Sequence, residues 1–324
     1  MLDRIRHALE RPDATLRYWT SQPPAPTTDP TLVLLHGATL DHHAWAPQVA
    51  ALQDRFAIVT PDLRGHGEST GTFDFAAAVE DIEALLDVLP ADQVVLVGLS
   101  LGGNIAQELV YRNTSRLQAM VIADATCNTA ARHHVAASMG VAVLRMRAAL
   151  AGPAFAQQAA REIATDPQVQ RYALKANGDR SNDEMVDILA SLLTSALRPD
   201  PGYRLPVPTL LVCGELDRIG DIASGTRAWA RREALAEHAV IPDAGHVSNL
   251  DNPEAFTEVL EAFLHRVLPS GSGASVDDGT PDSEGRVRPA VSCTSRAIVA
   301  GRSDCGAWPA ISRGLKRAPG INGR

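Results

Sequence analysis

Cysteine is scarce in this sequence of 324 residues, which contains four. Cys127, Cys213, Cys293 and Cys305 lie far apart, and no two of them form a C-x-x-C pair. This spacing argues against a disulfide framework and against the usual zinc-binding arrangements. Residues 1–11 mix charges and lack the apolar core of a signal peptide, so we expect a cytoplasmic protein.

Long apolar runs and an excess of positive charge are also lacking. No apolar run approaches the length of about 18 residues that a membrane span needs, so we expect no membrane partner. The sequence holds 30 basic and 38 acidic residues, a net charge of −8, whereas a nucleic-acid binder shows a basic face. With 45% hydrophobic residues, the chain can bury a sizeable core. These observations favour a globular protein that acts on a small molecule.

Short apolar runs rich in β-branched residues alternate with helical patterns along most of the chain. Each run is too short for a helix and too apolar for an exposed strand, so the pattern predicts an α/β fold with a mostly parallel sheet between helices. The predicted strands are Thr31–Leu35, Ala57–Thr60, Val94–Gly98, Met120–Ala123, Thr209–Cys213 and His238–Ile241, with Thr15–Thr20 as an antiparallel edge strand. The helices predicted around them are Phe75–Leu89, Gly102–Arg112 and Pro253–Val267.

Residues 127–206 break this alternation because they contain helical patterns and no strand pattern. The helices predicted there are Ala130–Ala151, Pro153–Ala164, Pro167–Asn177 and Asn182–Leu197. So much helix between two strands predicts an all-helical cap over the carboxyl edge of the sheet. We therefore divide the chain into a core of residues 1–126 and 207–268, a cap of residues 127–206, and a tail of residues 269–324. The tail is rich in Gly, Ser, Asp and Arg without periodicity, which predicts disorder.

The segment Gly98–Gly102 reads G-L-S-L-G and lies between a predicted strand and a predicted helix. A sharp turn there presents the serine hydroxyl at the N-terminus of a helix, where the dipole and the N–H groups stabilise negative charge. The flanking glycines are needed because the backbone passes too close for a Cβ atom. The motif predicts Ser100 as a catalytic nucleophile.

A serine nucleophile needs a general base, and the base needs a carboxylate behind it. His246 is the one histidine of ten that lies after the final predicted strand and before the last helix. Asp217 follows the strand Thr209–Cys213, and the order Ser100, Asp217, His246 is the order in which such sites occur along the chain. Asp124, at the end of the preceding strand, is the alternative acid.

An oxyanion also has to be stabilised during acyl transfer. The first predicted parallel strand runs into His36–Thr39, where the chain turns out of the sheet. The backbone N–H of Ala38 and that of Leu101, which follows the nucleophile, are the predicted donors. We expect His36 to form structural hydrogen bonds rather than to act in catalysis.

Four ordered motifs resemble the successive signatures of the α/β-hydrolase superfamily: His36-Gly37, Asp62–Ser69, Gly98–Gly103 and Gly245-His246. This resemblance covers Thr31 to Leu268 and implies an α/β-hydrolase fold with eight strands, or seven, a helical cap after the sixth strand, and no cofactor. It also implies that Arg64 and His66 brace a loop. Within the superfamily, Gly98–Gly103 and Gly245–Phe256 are similar to 3-oxoadipate enol-lactonases and small esterases.

The sequence thus predicts a serine hydrolase that cleaves an ester or lactone bond of a small, largely apolar substrate through an acyl-enzyme. A serine at position 100 excludes haloalkane dehalogenases and epoxide hydrolases, which use an aspartate there. A C–C bond hydrolase or a cofactor-free haloperoxidase would keep the same three residues, and a ligand-binding relative would keep the fold, so these alternatives stay open. Apolar positions that recur along the cap helices indicate an apolar pocket. They are Met139, Val143, Met146, Leu150, Leu189 and Leu193.

No metal site is expected. The adjacent residues His42 and His43 are the best placed for one, but they lack a third ligand at helical spacing.

Overall fold

The fold was analysed in a computed structural model that describes residues 5–21, 29–113, 115–130 and 134–268. The tail predicted from residue 269 to residue 324 lies outside the described residues. Within them the chain forms one sheet of eight strands flanked by helices. The predicted α/β-hydrolase fold is confirmed.

Six of the eight strands are parallel and carry the buried sheet, whereas the first two are antiparallel. The strand order is β1-β2-β4-β3-β5-β6-β7-β8. The strands are β1 Ile5–Arg11, β2 Ala14–Ser21, β3 Thr31–Leu35, β4 Ile58–Pro61, β5 Val94–Leu99, β6 Leu117–Ala123, β7 Thr209–Gly214 and β8 Ala236–Ile241. The predicted run Thr15–Thr20 corresponds to β2, which is not an edge strand, because it pairs with both β1 and β4.

Strand β1 was missed in the sequence. Its seven residues are exposed or half-buried throughout, because one edge of the strand is unpaired and only Leu9 packs against the core. An edge strand of this kind shows no apolar alternation that a periodicity argument could detect. The two-residue turn at Pro12 and Asp13 joins it to β2, and Asp13 has a positive φ of 57°.

The parallel strands β3 to β7 are buried on both faces, which is why they read as unbroken apolar runs, whereas β8 at the edge of the sheet is mostly half-buried. In β5, Val95, Val97 and Leu99 join the core on one side of the sheet, whereas Val94 and Leu96 join the core on the other. The helices that flank the sheet are α1 Ala46–Leu52, α2 Phe75–Val88, α3 Leu101–Arg112, α8 Ile222–Arg232, α9 Ser248–Asp251 and α10 Pro253–Val267.

Helix α10 begins with a proline and a side-chain cap. Pro253 occupies the first turn, and the side chain of Asn252 accepts a hydrogen bond from the N–H of Ala255 at 3.2 Å. Both features favour the start of a helix. Proline has no N–H group that needs an acceptor in the first turn, and the side-chain cap accepts a hydrogen bond from an N–H group that would otherwise be unpaired.

Among the described residues between β6 and β7 the chain forms four α-helices, as predicted: α4 His134–Ala151, α5 Phe155–Ile163, α6 Pro167–Asn177 and α7 Asn182–Ser195. We call residues 134–195 the helical insertion. It has a small core of its own, formed by Ala148, Phe155, Met185 and Val186. A capping box of Ser181 and Glu184 fixes the start of α7.

One stretch departs from the expectation of no membrane span. The segment Ala136–Ile163 is long and apolar enough to cross a membrane by length and composition, with a mean hydropathy of 1.2 over an 18-residue window that is 11% buried. The segment is interrupted by a 3-10 turn at Gly152–Ala154, which separates α4 from α5.

Candidate active site

Ser100 lies in the sharp turn between β5, which ends at Leu99, and α3, which begins at Leu101. Its φ of 49° is rare for a residue with a side chain. A Cβ atom added at Gly98 would lie 2.4 Å from the carbonyl oxygen of Gly102, and one added at Gly102 would lie 2.2 Å from the carbonyl oxygen of Leu35. The glycines are therefore required by close backbone approach, as the motif predicted. The strained backbone directs the hydroxyl away from the sheet.

The side chain of Ser100 is hydrogen-bonded to that of His246. The hydroxyl oxygen of Ser100 is 2.9 Å from Nε2 of the imidazole, and Nδ1 of the same ring is 3.0 Å from Oδ2 of Asp217. The other carboxylate oxygen of Asp217 accepts a hydrogen bond from the N–H of Ile219 at 2.8 Å. The Asp217 side chain is fully buried and that of His246 is 8% exposed. The structure thus brings the three predicted side chains into one hydrogen-bonded chain.

Asp124, the alternative acid, makes different contacts. Its Oδ1 accepts from the N–H of Gly214 at 2.8 Å, and its Oδ2 accepts from both the N–H (3.1 Å) and the hydroxyl (2.5 Å) of Ser248. The carboxylate therefore ties the end of β6 to the end of β7 and to the loop that carries His246. Burial raises the pKa of Asp124 to about 7, against the smaller lowering effects of the His246 charge and these hydrogen bonds.

The pKa of His246 is raised above its ordinary value of 6.5. Burial by itself lowers it, but the hydrogen bond and negative charge of Asp217, together with the charge of Asp124, raise it by more. An imidazole in this environment favours its protonated form, which is the form that a base has after it has taken a proton from Ser100.

The loop that carries His246 is pressed against the end of β7. A Cβ atom added at Gly214 would lie 2.0 Å from the carbonyl oxygen of Gly245, and 2.4 Å from that of Ala244. Because both ends of this contact are backbone, the distance between the acid-bearing strand and the histidine is fixed by main chain. No sequence pattern indicated this role for Gly214.

Asp251, in α9, was also missed by the sequence argument, and it joins this loop to the helical insertion. Its Oδ2 accepts hydrogen bonds from the N–H of Gly245 at 2.8 Å and of Thr165 at 2.9 Å, and its Oδ1 accepts from the N–H of Asp166 at 3.1 Å. On the other side of His246, the N–H of Val247 donates to the carbonyl oxygen of Ile163 at 3.1 Å. The α5–α6 junction is therefore anchored on both sides of the histidine.

We predict that Asp251→Ala lowers both stability and activity. It removes the acceptor of three backbone N–H groups, so the free energy of unfolding should fall by roughly 2–4 kcal/mol. A displaced imidazole should lower kcat/KM for a p-nitrophenyl ester by roughly 10- to 100-fold. Urea unfolding and initial rates measure the two effects. Glu258→Ala, an exposed position on α10, is the control, and an Asp251→Ala variant that behaves like it would contradict this anchoring role.

The predicted oxyanion donors both lie beside Ser100. Leu101 is the first residue of α3, and the N–H groups of a helix's first turn have no acceptor within the helix. Ala38 lines the same cavity as Ser100. The two segments are held together by the contact of Gly102 with the carbonyl oxygens of Leu35 and His36.

His36, Arg64 and His66 make structural contacts. The N–H of Leu63 donates to Nε2 of His36 at 3.0 Å, and Nδ1 of that ring is 2.8 Å from the carbonyl oxygen of Gly37. Arg64 donates to both oxygens of Asp81 at 2.9 Å. Nδ1 of His66 is 3.0 Å from the carbonyl oxygen of Arg64. These contacts hold the loop after β4, as the resemblance implied.

The structure adds an acidic residue to the pair of neighbouring histidines. Asp41, His42 and His43 offer ligand atoms within 4.8 Å of one another. However, Nδ1 of His42 is 2.8 Å from Oδ1 of Asp62, and Asp41 accepts from the N–H of His43 at 2.9 Å and from the hydroxyl of Tyr172 at 2.9 Å. The ligand atoms are thus engaged within the protein, and Asp41 serves to cap the 3-10 turn His42–Trp45.

A cavity of about 730 Å³ opens onto Ser100 and His246. Of the apolar positions proposed for the pocket, Val143, Leu189 and Leu193 line it. The other three do not line it and are exposed at the surface; they are Met139, Met146 and Leu150. The reason is that α4 packs on the protein along a narrow stripe, with Ala148 as its one buried residue among the described part of that helix.

A family model described as the alpha/beta hydrolase family matches residues 32–259. The match covers most of the chain, so this protein belongs to the α/β hydrolase family, which confirms the resemblance inferred from the four motifs.

Two curated relatives and one solved structure illustrate the similarity. The chain is 27% identical over 251 residues to 3-oxoadipate enol-lactonase 2 of Acinetobacter baylyi, covering 73% of this chain and 89% of that protein. It is 27% identical over 260 residues to the pimeloyl-[acyl-carrier protein] methyl ester esterase of Nitrosospira multiformis, covering 72% and 94%. A thermophilic esterase from Thermogutta terrifontis superposes with a TM-score of 0.66 at 26% identity, covering 82% of this chain and 99% of that one.

Proposed function

We propose that this protein is a serine hydrolase that cleaves an ester or lactone bond of a small, largely apolar substrate through an acyl-enzyme intermediate. The observation that carries the proposal is the hydrogen-bonded chain from the hydroxyl of Ser100 through His246 to Asp217. The relatives named as an enol-lactonase and a methyl ester esterase support the bond type. The free thiols of Cys127 and Cys213 agree with a location in the cytoplasm.

In the first half of the reaction, the hydroxyl oxygen of Ser100 attacks the carbonyl carbon of the substrate. Nε2 of His246 takes the hydroxyl proton, and the carboxylate of Asp217 stabilises the resulting imidazolium. The backbone N–H groups of Ala38 and Leu101 donate to the oxyanion of the tetrahedral intermediate. His246 then protonates the leaving oxygen, and the carbonyl re-forms as the acyl ester of Ser100.

In the second half, a water molecule attacks this acyl ester while Nε2 of His246 accepts its proton. Collapse of the second intermediate expels the Ser100 oxygen, which regains the proton from His246, and the carboxylic acid leaves. The N-terminus of α3 favours the negative charge that develops twice at this position.

The helical insertion acts in this proposal as a cap that shapes the substrate pocket. It contributes lining residues from α4, α5 and α7, and its α5–α6 junction is bonded to the loop of His246. A substrate held below it would be shielded from water, which strengthens the electrostatic interactions in the site.

Labelling with a fluorophosphonate, followed by identification of the modified residue, tests the proposal. The expected result is a single adduct at Ser100, formed by the wild-type protein and lost in His246→Ala. Turnover of p-nitrophenyl acetate and butyrate should accompany it. A protein that neither reacts with the probe nor hydrolyses any ester would instead be a ligand-binding member of the family.

The raised pKa of His246 sets the expected pH dependence. The base must be neutral to accept the Ser100 proton, so kcat/KM should fall as the pH drops through the pKa of His246, which lies above 6.5. Asp217→Asn removes the hydrogen bond and the charge that raise this pKa, so it should move the acid limb of the profile to lower pH. Glu261→Gln, on the exposed side of α10, should leave the limb in place. An acid limb below pH 6 in the wild type would contradict the assignment of His246 as the titrating base.

A further inference from the structure

The cavity above Ser100 is far larger than an acetyl group requires. Its volume of about 730 Å³ lies within the range that encloses most of a drug-sized ligand. Aliphatic side chains of the helical insertion form much of its wall: Val143 and Leu144 from α4, and Leu189, Leu192 and Leu193 from α7. Each methylene group of a substrate that such a wall removes from water makes the free energy of binding more favourable.

The charges around the cavity are mostly negative. Among its described lining residues, the carboxylates are Asp124, Glu162 and Asp221, and the cationic side chain is that of Arg147. This arginine is paired with Glu162. A substrate that carries a carboxylate at the far end of its chain would have to compete with Glu162 for Arg147 and would be repelled by the negative charge of Asp221.

On the basis of the proposed serine hydrolase activity, we infer that the substrate is a neutral ester with an extended acyl chain of about six to ten carbons. The chain lies under α4 and α7, and Glu162 excludes acyl chains that end in a carboxylate by occupying Arg147. The substrate class is therefore a neutral medium-chain ester rather than a half-ester of a dicarboxylic acid.

The position of Gly140 makes the chain-length part testable. Gly140, in α4, lines the cavity, and a Cβ added there meets no heavy atom within 4 Å. The Cβ atom of Gly140→Phe therefore meets no clash, the substitution improves the helix propensity of α4, and we expect the ring to occupy part of the space meant for the acyl chain. Ala142→Phe, two residues further on at an exposed position that does not line the cavity, is the matched control.

The first experiment measures kcat/KM for p-nitrophenyl esters of acetate, butyrate, hexanoate, octanoate and decanoate, each below its critical micelle concentration. In the wild type we expect a rise of up to about fourfold per methylene until the cavity is filled, and octanoate at least about tenfold above acetate. Gly140→Phe should lower the octanoate-to-acetate ratio at least about fivefold, and Ala142→Phe should leave it unchanged. A wild-type optimum at acetate, or equal ratios in the two variants, would overturn the chain-length inference.

The second experiment compares p-nitrophenyl octanoate with the mono-p-nitrophenyl ester of suberic acid, which has the same chain length and a terminal carboxylate. We expect the wild type to prefer the neutral ester at least about tenfold. Glu162→Gln frees Arg147 and should raise the relative kcat/KM of the acidic ester several-fold. Glu237→Gln removes a comparable exposed ion pair with Arg266, remote from the cavity, and should not change the ratio. Preference of the wild type for the acidic ester, or a ratio unaffected by Glu162→Gln, would overturn this part.

The reaction of Ser100 with the probe distinguishes a wrong substrate class from a wrong hydrolase assignment. If wild-type protein hydrolyses none of the esters and Ser100 does not react with a fluorophosphonate, the hydrolase assignment fails. If Ser100 reacts and short or acidic esters are the better substrates, the hydrolase assignment stands and the substrate class is wrong.

Discussion

Ser100→Ala is expected to lower kcat for a p-nitrophenyl ester by about 10⁶-fold. The variant loses the oxygen that forms the covalent bond, while His246, Asp217 and the backbone donors remain in place. Binding and oxyanion stabilisation then supply the small remaining rate enhancement. Initial-rate measurements on purified protein give the effect directly. Ser195→Ala, an exposed serine at the end of α7, controls for the loss of a hydroxyl elsewhere.

The same position should show an opposite effect on stability. Ser100 holds a φ of 49° and a ψ of −112°, a conformation that costs a residue with a side chain of order 1–3 kcal/mol. Ser100→Gly should therefore be inactive and yet more stable to urea than Ser100→Ala, by about 1 kcal/mol. A Ser100→Ala variant that keeps more than about 1% of wild-type kcat would contradict the nucleophile assignment, since a lost nucleophile costs far more than that.

Asp217→Asn is expected to lower kcat by about 10⁴-fold. The amide keeps the size of the carboxylate but cannot stabilise an imidazolium, and it favours the tautomer of His246 that has no lone pair on Nε2 to accept the Ser100 proton. The Michaelis constant should change little, because Asp217 is fully buried behind the histidine. Steady-state kinetics and the pH profile together separate this effect from a loss of folded protein.

Asp124→Asn is the informative comparison, because Asp124 is also buried close to His246. Its carboxylate accepts hydrogen bonds from Gly214 and Ser248 rather than from the imidazole. An asparagine there would place an amide donor against another donor, so we expect a loss of stability and a fall in kcat at least about 100-fold smaller than that of Asp217→Asn. If the two variants lost kcat equally, Asp124 would share the role of acid.

Local sequence patterns were sufficient where an element is buried on both faces or sharply capped. The parallel strands β3 to β7 were found because a short, continuous apolar run is typical of a strand that is buried on both faces. Strand β8 was found from its run His238–Ile241, although it lies half-buried at the edge of the sheet. Helix α6 was predicted at its observed bounds, Pro167–Asn177, because a proline and a capping aspartate mark its start. Helix α8 was missed because it contains Gly225, and its buried face consists of Ile222, Thr226 and Trp229, which do not form an aliphatic stripe.

Ser100 and His246 could be assigned from the chain because the turn of a nucleophile and the loop after the last strand have fixed places in the order of elements. The acid was harder, since Asp124 and Asp217 both follow strands that end at the same edge of the sheet. Which of the two is the acid depends on the hydrogen bonds that each carboxylate makes. Asp124 bonds to Gly214 and Ser248, whereas Asp217 bonds to His246, and all of these partners are distant in sequence.

By itself, then, the sequence determined the class of fold, the order of its elements, the turn that exposes Ser100 and the presence of a helical insertion, because each depends on contacts or backbone requirements within a few residues. Tertiary structure decided which carboxylate faces His246, how Asp251 joins the insertion to that loop, and which apolar residues of α4 line a cavity and which face solvent. These contacts join residues as far apart in the sequence as Thr165 and Asp251, or Asp124 and Ser248, and no local pattern records the distance between their side chains.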